Sequence, residues 1–299
     1  MNKVFSHVTY ECNAFCKHCA VPRNKDEMNF DLFKTVIDKI DMEFLVIGGG
    51  EPLKHSRLKD MIDYASKKTK VKIETNSQLL TKDFLYENKN KLFQINTSID
   101  GLEKTHNSIR GIDTFKHSTE MIKYARSLDI DVAIWSVVMK DNISEFEDII
   151  ALTKELNVNK ISFLYATPVG KCKPEILVPY EKYNSLVKKI DLLIDQNFQI
   201  RIAPYLITEN NLENINVDCL INEGEILHID PKGDIYPCVL LLDNPSYKIG
   251  SIEKGYTFIR NENPRKCLGL IESLGIDDRE SYGFPLCPSI ILSKEWNFE

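Results

Sequence analysis

Apolar residues at 30, 32, 33, 36, 37 and 40 recur at helical spacing and predict an amphipathic helix over Phe30–Ile40. The chain before them is patterned differently. Val4–Tyr10 is rich in β-branched and aromatic residues, the composition of a short buried strand. The two patterns then alternate. Strands are expected at Phe44–Ile47, Val71–Thr75, Phe93–Ile99, Val132–Met139 and Lys160–Tyr165. Helices are expected at Leu58–Lys67, at Thr81–Lys91 with Thr81 as N-cap, at Phe115–Leu128, and from a capping box Ser144-x-x-Glu147 to Leu156. Six such repeats in about 165 residues predict an α/β fold with a parallel sheet and helices outside it. In sheets of this kind the loops after the strands gather at one end and build the site.

After Tyr165 the rhythm breaks. A long amphipathic helix is expected over Pro179–Ile194, a strand over Ile200–Ile207, and an Asn-rich linker over Glu209–Val217. Ile226–Ile229 and Asp234–Val239 read as a hairpin turning at Pro231-Lys232-Gly233. The expected division is therefore 1–207, a barrel with a bridging helix, and 208–299, a smaller appended domain.

Charge narrows the partners. The 299 residues carry a net charge of −6 with acidic and basic residues interspersed, and no basic block suggests nucleic acid. No run approaches a membrane span, and the N-terminus lacks a secretion signal, so the expected compartment is the cytoplasm. There, eight cysteines are better read as thiolates for metal or chemistry than as disulfides.

Three of them, Cys12, Cys16 and Cys19, sit in the loop after the first strand with spacing C-x3-C-x2-C. Such thiolates can bind a soft metal or an iron–sulfur cluster. Zinc would want a fourth ligand, and only His18 lies near, cramped between two cysteines. A four-iron cluster on three cysteines would leave one iron open to a substrate or cofactor. Gly49-Gly50-Glu51-Pro52 ends the second strand, and its glycines would let backbone approach a ligand closely.

The cysteine loop resembles the C-x3-C-x-Φ-C signature of the radical S-adenosylmethionine (radical SAM) enzymes. His18 stands at the usually aromatic position that packs near the cofactor adenine. Gly49, Gly50, Glu51 and Pro52 resemble that family's glycine–glycine–glutamate–proline motif. Asn76, Ser98 and Asp100, at strand ends, resemble positions that hydrogen-bond the cofactor ribose and carboxylate. His106-x3-Arg110-Gly111 resembles a stretch common in the peptide-modifying branch. The resemblance implies a partial (β/α)6 TIM-like barrel, one 4Fe-4S cluster on Cys12, Cys16 and Cys19, and S-adenosylmethionine on the open iron. Its reductive cleavage would yield a 5′-deoxyadenosyl radical that takes a hydrogen atom from the substrate.

The stretch from Cys219 to Cys238 resembles the start of a SPASM/Twitch domain, a small α+β unit that carries auxiliary iron–sulfur clusters. Cys219, Cys238, Cys267 and Cys287 would supply four ligands, the number that one auxiliary 4Fe-4S cluster needs. The C-x2-C and C-x5-C spacings of a full SPASM domain are missing, which implies a shortened domain with one such cluster. Cys172 is then left over, after the sixth strand, where a thiol could return a hydrogen atom to a carbon radical. Cys219 is the rival donor if it does not bind iron.

These features together resemble enzymes that mature ribosomally made peptides. The reaction implied first is L-to-D epimerisation at Cα with a Cys thiol as hydrogen donor. The alternatives are a thioether or C–C cross-link in a peptide, Twitch-type dehydrogenation of a small-molecule alcohol, and a non-catalytic cluster protein. The partners implied are a peptide substrate and an electron donor such as flavodoxin or ferredoxin, with no nucleic acid and no membrane. The first strand lies at the start of the chain, so a leader peptide is expected to dock on the barrel or the C-terminal region.

Overall fold

Asn29 accepts a hydrogen bond from the Leu32 amide at 2.8 Å and starts helix α1 (Phe30–Lys39) in the computed structural model. The helix buries Phe33, Val36 and Ile37 in the same apolar core as Val4 and Val8 of strand β1 (Lys3–Thr9). The structure describes residues 3–167 and 169–179, and in shorter runs 182–183, 185–186, 189, 198–203, 226–245 and 248–256.

The alternation continues through β2 (Phe44–Gly49), α2 (Leu58–Ala65), β3 (Lys70–Thr75), α3 (Lys82–Asn88), β4 (Leu92–Ser98) and α4 (Glu103–Arg110). It goes on with α5 (Phe115–Ser127), β5 (Asp131–Val138), α6 (Phe146–Glu155), β6 (Lys160–Tyr165) and β7 (Gln199–Ala203). These strands pair in parallel from β1 to β7 in chain order. Thr81 caps α3 by accepting from the Phe84 amide at 3.1 Å, as its sequence predicts. The parallel α/β architecture is the expected one.

The C-terminal hairpin does not stand apart from this sheet. β8 (Ile226–Ile229) pairs in parallel with β1, placing Lys3 opposite Ile226 and Ser6 opposite Ile229. β9 (Asp234–Tyr236) folds back antiparallel on β8, and β10 (Gly250–Ser251) and β11 (Gly255–Tyr256) extend the edge. The turn sits at Pro231-Lys232-Gly233, where the Asp230 carboxylate accepts from the amides of Lys232 at 2.9 Å and Asp234 at 2.8 Å. Gly233 adopts φ +85° there, a conformation glycine takes without steric cost.

One local expectation changes, and one helix is new. The capping box at Ser144 does not form; a 3-10 turn over Ile143–Glu145 leads into α6, which has no side-chain cap. The neighbouring Glu145 carboxylate accepts instead from the Leu102 amide and the Thr105 hydroxyl at the entry to α4. Helix α4 itself escapes the periodicity argument, because its strongly polar sequence, EKTHNSIR, buries only one aliphatic side chain, Ile109. Most of the helix expected over 179–194, the linker, and Cys219, Cys267 and Cys287 lie outside the described residues. Among the described residues no helix is long and apolar enough to cross a membrane.

Candidate active site

The loop after β1 is fastened along its length by backbone hydrogen bonds to other elements. The amides of Phe15 and Lys17 donate to the carbonyls of Arg110 at 2.8 Å and Ile109 at 3.0 Å, so the C-terminal end of α4 is satisfied by the cysteine loop. Gly111 closes α4 at φ +67°, and a Cβ there would lie 2.9 Å from that of Phe15. At the far end the Lys171 amide donates to the Cys19 carbonyl at 2.9 Å. Arg23 donates to the Cys12 carbonyl at 3.0 Å.

Held this way, Cys12, Cys16 and Cys19 line one cavity of about 200 Å³. His18, Gly49, Gly50, Asn76, Ser98 and Arg110 line it with them. Among the described residues no three His, Cys, Asp or Glu side chains converge on a point that would hold a single metal ion. Three thiols spaced around a common cavity instead suit a cluster of several irons, each thiolate taking a different iron. The donor set therefore fits a 4Fe-4S cluster better than zinc. Burial raises the Cys12 and Cys19 thiols, so ligation must displace their protons.

Arg110 is the positive charge of the site. Its Nη1 donates to Cys16 Sγ at 3.6 Å, and its Nε lies 2.6 Å from Asp100 Oδ2. Burial alone would raise the Asp100 carboxyl, but Arg110 and His18 outweigh it and hold the group well below the usual carboxylate range. Asp100 Oδ1 accepts from the Val137 amide at 2.7 Å, and Oδ2 lies 3.3 Å from His18 Nε2. Asp100 thus sits behind the cavity wall, orienting Arg110 and His18, and does not line the cavity. His106 is neutral, with burial pushing it down to about 4, and its Nδ1 accepts from the Asp100 amide at 3.0 Å.

The glycine motif also joins the cysteine loop to the end of β2. A Cβ on Gly49 would lie 2.2 Å from the Thr9 carbonyl oxygen, and one on Gly50 2.4 Å from that of Glu11. The Gly50 and Glu51 amides donate to those same two carbonyls. The Glu51 side chain is buried and turned away from the cavity, accepting from Thr75 Oγ1 and the Asn76 amide at 2.8 Å each and from the Leu53 amide at 3.1 Å. Burial pushes Glu51 up to about 7 against those hydrogen bonds. Pro52 is buried at the start of a 3-10 turn and does not line the cavity. Asn76, fixed by Glu51, donates to Asn13 Oδ1 at 2.8 Å and approaches Cys12 Sγ at 3.9 Å. Gly49→Ala is expected to cost about 3 kcal/mol, the upper end of ordinary substitutions, and to separate β1 from β2 at the loop. Urea unfolding of the anaerobic protein measures it, and an unchanged midpoint would refute the joint role.

Cys172 is not brought to the cavity. It packs with Ile109, Met139, Ala166 and Leu177 in a separate apolar cluster, where burial pushes its thiol up to about 12. Cys238 is buried at the end of the β9 hairpin, beside a cluster of Tyr10, Tyr236 and Leu242. Sequence reasoning missed Glu74, Asn96, Thr97 and Trp135, which complete the cavity. Strand parity was the signal available, since positions 74, 96, 98 and 135 lie on the sheet face opposite the outer helices.

Residues 6–153 match the radical SAM superfamily. An uncharacterized protein of Methanocaldococcus jannaschii is 28% identical over 258 residues, 81% of this chain and 86% of that protein. The AdoMet-dependent heme synthase of Nitratidesulfovibrio vulgaris is 27% identical over 175 residues, 55% of this chain and 48% of the enzyme. The mycofactocin maturase MftC of Mycolicibacterium smegmatis is 25% identical over 248 residues, 77% of this chain and 62% of the maturase. This chain thus spans less than two thirds of those two functionally named relatives. In fold it matches Streptococcus suis SuiB bound to its precursor peptide SuiA, with a TM-score of 0.75, 16% identity, and coverage of 96% of this chain and 75% of SuiB. The cysteine loop, its cavity and the parallel sheet beneath them, together with the match over residues 6–153, identify a radical SAM domain.

Proposed function

We propose that this protein is a radical SAM enzyme that modifies a ribosomally made peptide. The observation that carries the reading is the convergence of Cys12, Cys16 and Cys19 on one cavity, which Asn76, Asn96, Ser98, Arg110 and Trp135 line with them. Two relatives support the choice of substrate: one is a maturase, and the other is a fold neighbour bound to a precursor peptide. A 4Fe-4S cluster on the three thiolates and S-adenosylmethionine beside it would supply the one-electron chemistry that removes a hydrogen atom from an unreactive C–H bond. The chain's own residues do the rest. Arg110 offsets negative charge at Cys16, Asp100 keeps Arg110 aimed, and the glycine joint holds β1 and β2 together under the loop. The wall of Asn96, Thr97, Ser98 and Trp135 faces the space left for substrate.

Within this reading the reaction is L-to-D epimerisation. A hydrogen atom leaves Cα, and a thiol S–H returns one from the opposite face. The sulfur is left one electron and one proton short, which a flavodoxin- or ferredoxin-type donor and solvent restore. Cys172 sits in an apolar cluster away from the cavity, so Cys219, outside the described residues, is the proposed donor. Residues 208–299 then hold an auxiliary cluster on Cys238, Cys267 and Cys287 with a fourth ligand from elsewhere. Turnover of the cognate peptide in deuterated water is expected to place deuterium at one Cα. Cys172→Ala should keep that label and Cys219→Ala should lose it. An unlabelled product from the wild type would exclude epimerisation and leave cross-linking.

A second reading is favoured by the similarity to the heme synthase: chemistry on a small molecule, such as dehydrogenation of an alcohol. A short open reading frame encoding a peptide beside this gene favours the first reading, and its replacement by a small-molecule pathway favours the second.

A further inference from the structure

On β3, Val71 and Ile73 pack outward into the apolar core, so Lys72 and Glu74 belong to the opposite, inner face of the sheet. Register then sets Glu74 in a row across the cavity floor. Glu74 pairs with Asn96, and Asn96 with Ala133. On its other side lies Gly48, where a Cβ would come within 3.1 Å of Glu74 Oε2. A glycine and an alanine thus flank the row, and nothing bulky crowds the carboxyl within it.

Glu74 is the one carboxylate lining the cavity among the described residues. Its Oε1 is shut off from solvent and has no hydrogen-bond partner. Asn96 on β4 supplies a hydrogen bond to the side chain, and Lys3 on β1 is the charged group that acts on it. A buried carboxyl with an idle oxygen is costly unless something completes it. The fastening of the cysteine loop does not use it; Arg110, Asn76 and Glu51 do that work. Trp135 lies opposite Ser98 in the register and puts an indole ring on the same cavity. A carboxylate and an indole bordering one cavity favour a cation within it, through a charge-assisted hydrogen bond and the ring's negative face.

We propose that Glu74 is a specificity-determining residue that anchors a protonated primary amine of the substrate on the floor of the cavity that Trp135 also lines. The inference rests on the cavity being the reaction site. It names the substrate class within that reading: a peptide that brings a lysine-type side chain or a free amino terminus close to the reacting carbon.

The test uses the anaerobically reconstituted enzyme loaded with S-adenosylmethionine. Three blocked or unblocked probes separate the sources of the amine: N-acetyl-Gly-Lys-Gly-amide, N-acetyl-Gly-norleucine-Gly-amide, and Gly-norleucine-Gly-amide with a free amino terminus. Calorimetric titration is expected to show at least ~10-fold tighter binding of one amine-bearing probe than of the blocked norleucine peptide. Glu74→Gln, which keeps the size and the bond to Asn96, should reduce that preference below ~2-fold while S-adenosylmethionine affinity stays within ~2-fold, and Glu74→Asp should restore part of the preference. Equal binding of all three probes by the wild type overturns the proposal without recourse to any variant. So does a preference that survives Glu74→Gln, and so does a Glu74→Gln effect that falls on S-adenosylmethionine instead. Formation of 5′-deoxyadenosine with dithionite is measured separately. Its absence from the wild type would sink the enzyme reading while an intact amine preference would leave the anchor standing.

Discussion

Single replacement of Cys12, Cys16 or Cys19 by Ala should remove about four irons per chain and take S-adenosylmethionine cleavage to background. The three thiols share one cavity, and no other cysteine among the described residues lines it. Loss should be all-or-none, because a cluster with two protein ligands exposes a second iron and is prone to dissociate. Iron and sulfide analysis after anaerobic reconstitution, with chromatographic measurement of 5′-deoxyadenosine, checks this. The same assay on Cys172→Ala is the control, since its side chain packs in a different cluster. A cysteine-loop variant that kept its iron and its cleavage activity would remove the basis of the proposed function.

The second large effect is on stability. Asp100→Ala should cost about 3–5 kcal/mol, the range for stripping one partner from a buried ion pair. It leaves the Arg110 guanidinium buried and uncompensated, and it also takes the acceptor from the Val137 amide and from His18. The cost is mainly that of the abandoned charge. Asp100→Leu combined with Arg110→Leu should therefore recover part of the loss, although Cys16 then has no cation beside it. Urea unfolding of the single and double variants decides the matter; strictly additive losses would show that the pair is not coupled. The pH dependence has a definite sign. The folded carboxyl titrates below its unfolded value of 3.8, so its contribution is present above that value and is lost as pH falls further. The buried histidines act earlier. His7 and His106 are pushed down to about 4 by burial from an ordinary 6.5, so the unfolded chain takes up protons first and stability falls as pH drops through that window.

Features written into a few consecutive residues were legible without a structure. The C-x3-C-x2-C spacing, the glycine run after β2, the Thr81 cap and the Pro231-Lys232-Gly233 turn each depend on chain segments of a few residues. The alternation of strands and helices was legible for the same reason, since burial on one face imposes a period on the sequence. Parity along β3 and β4 also carried Glu74 and Asn96, but it becomes informative only once the inner face is known to border a cavity.

What the linear pattern did not determine is which distant groups meet. Helix α4 is too polar to be found by its apolar stripe, yet its last turn supplies the carbonyls and the Arg110 side chain that hold the cysteine loop. Glu51 lies inside a cofactor-like motif, but packing turned its carboxylate to Thr75 and Asn76. Cys172 stands at the loop end of β6, where sequence logic puts a reactive thiol, and packing placed it among Ile109, Met139 and Leu177. The strand β8 joined β1 across more than two hundred residues of chain. The sequence by itself therefore determined the local conformations and the cysteine spacing of the loop after β1, because backbone preference and burial period act over a few residues. Only the tertiary structure decided the surroundings of Arg110, Asp100, Glu51, Cys172 and Glu74, because those depend on charge, solvent exclusion and hydrogen-bond partners drawn from separate strands and helices.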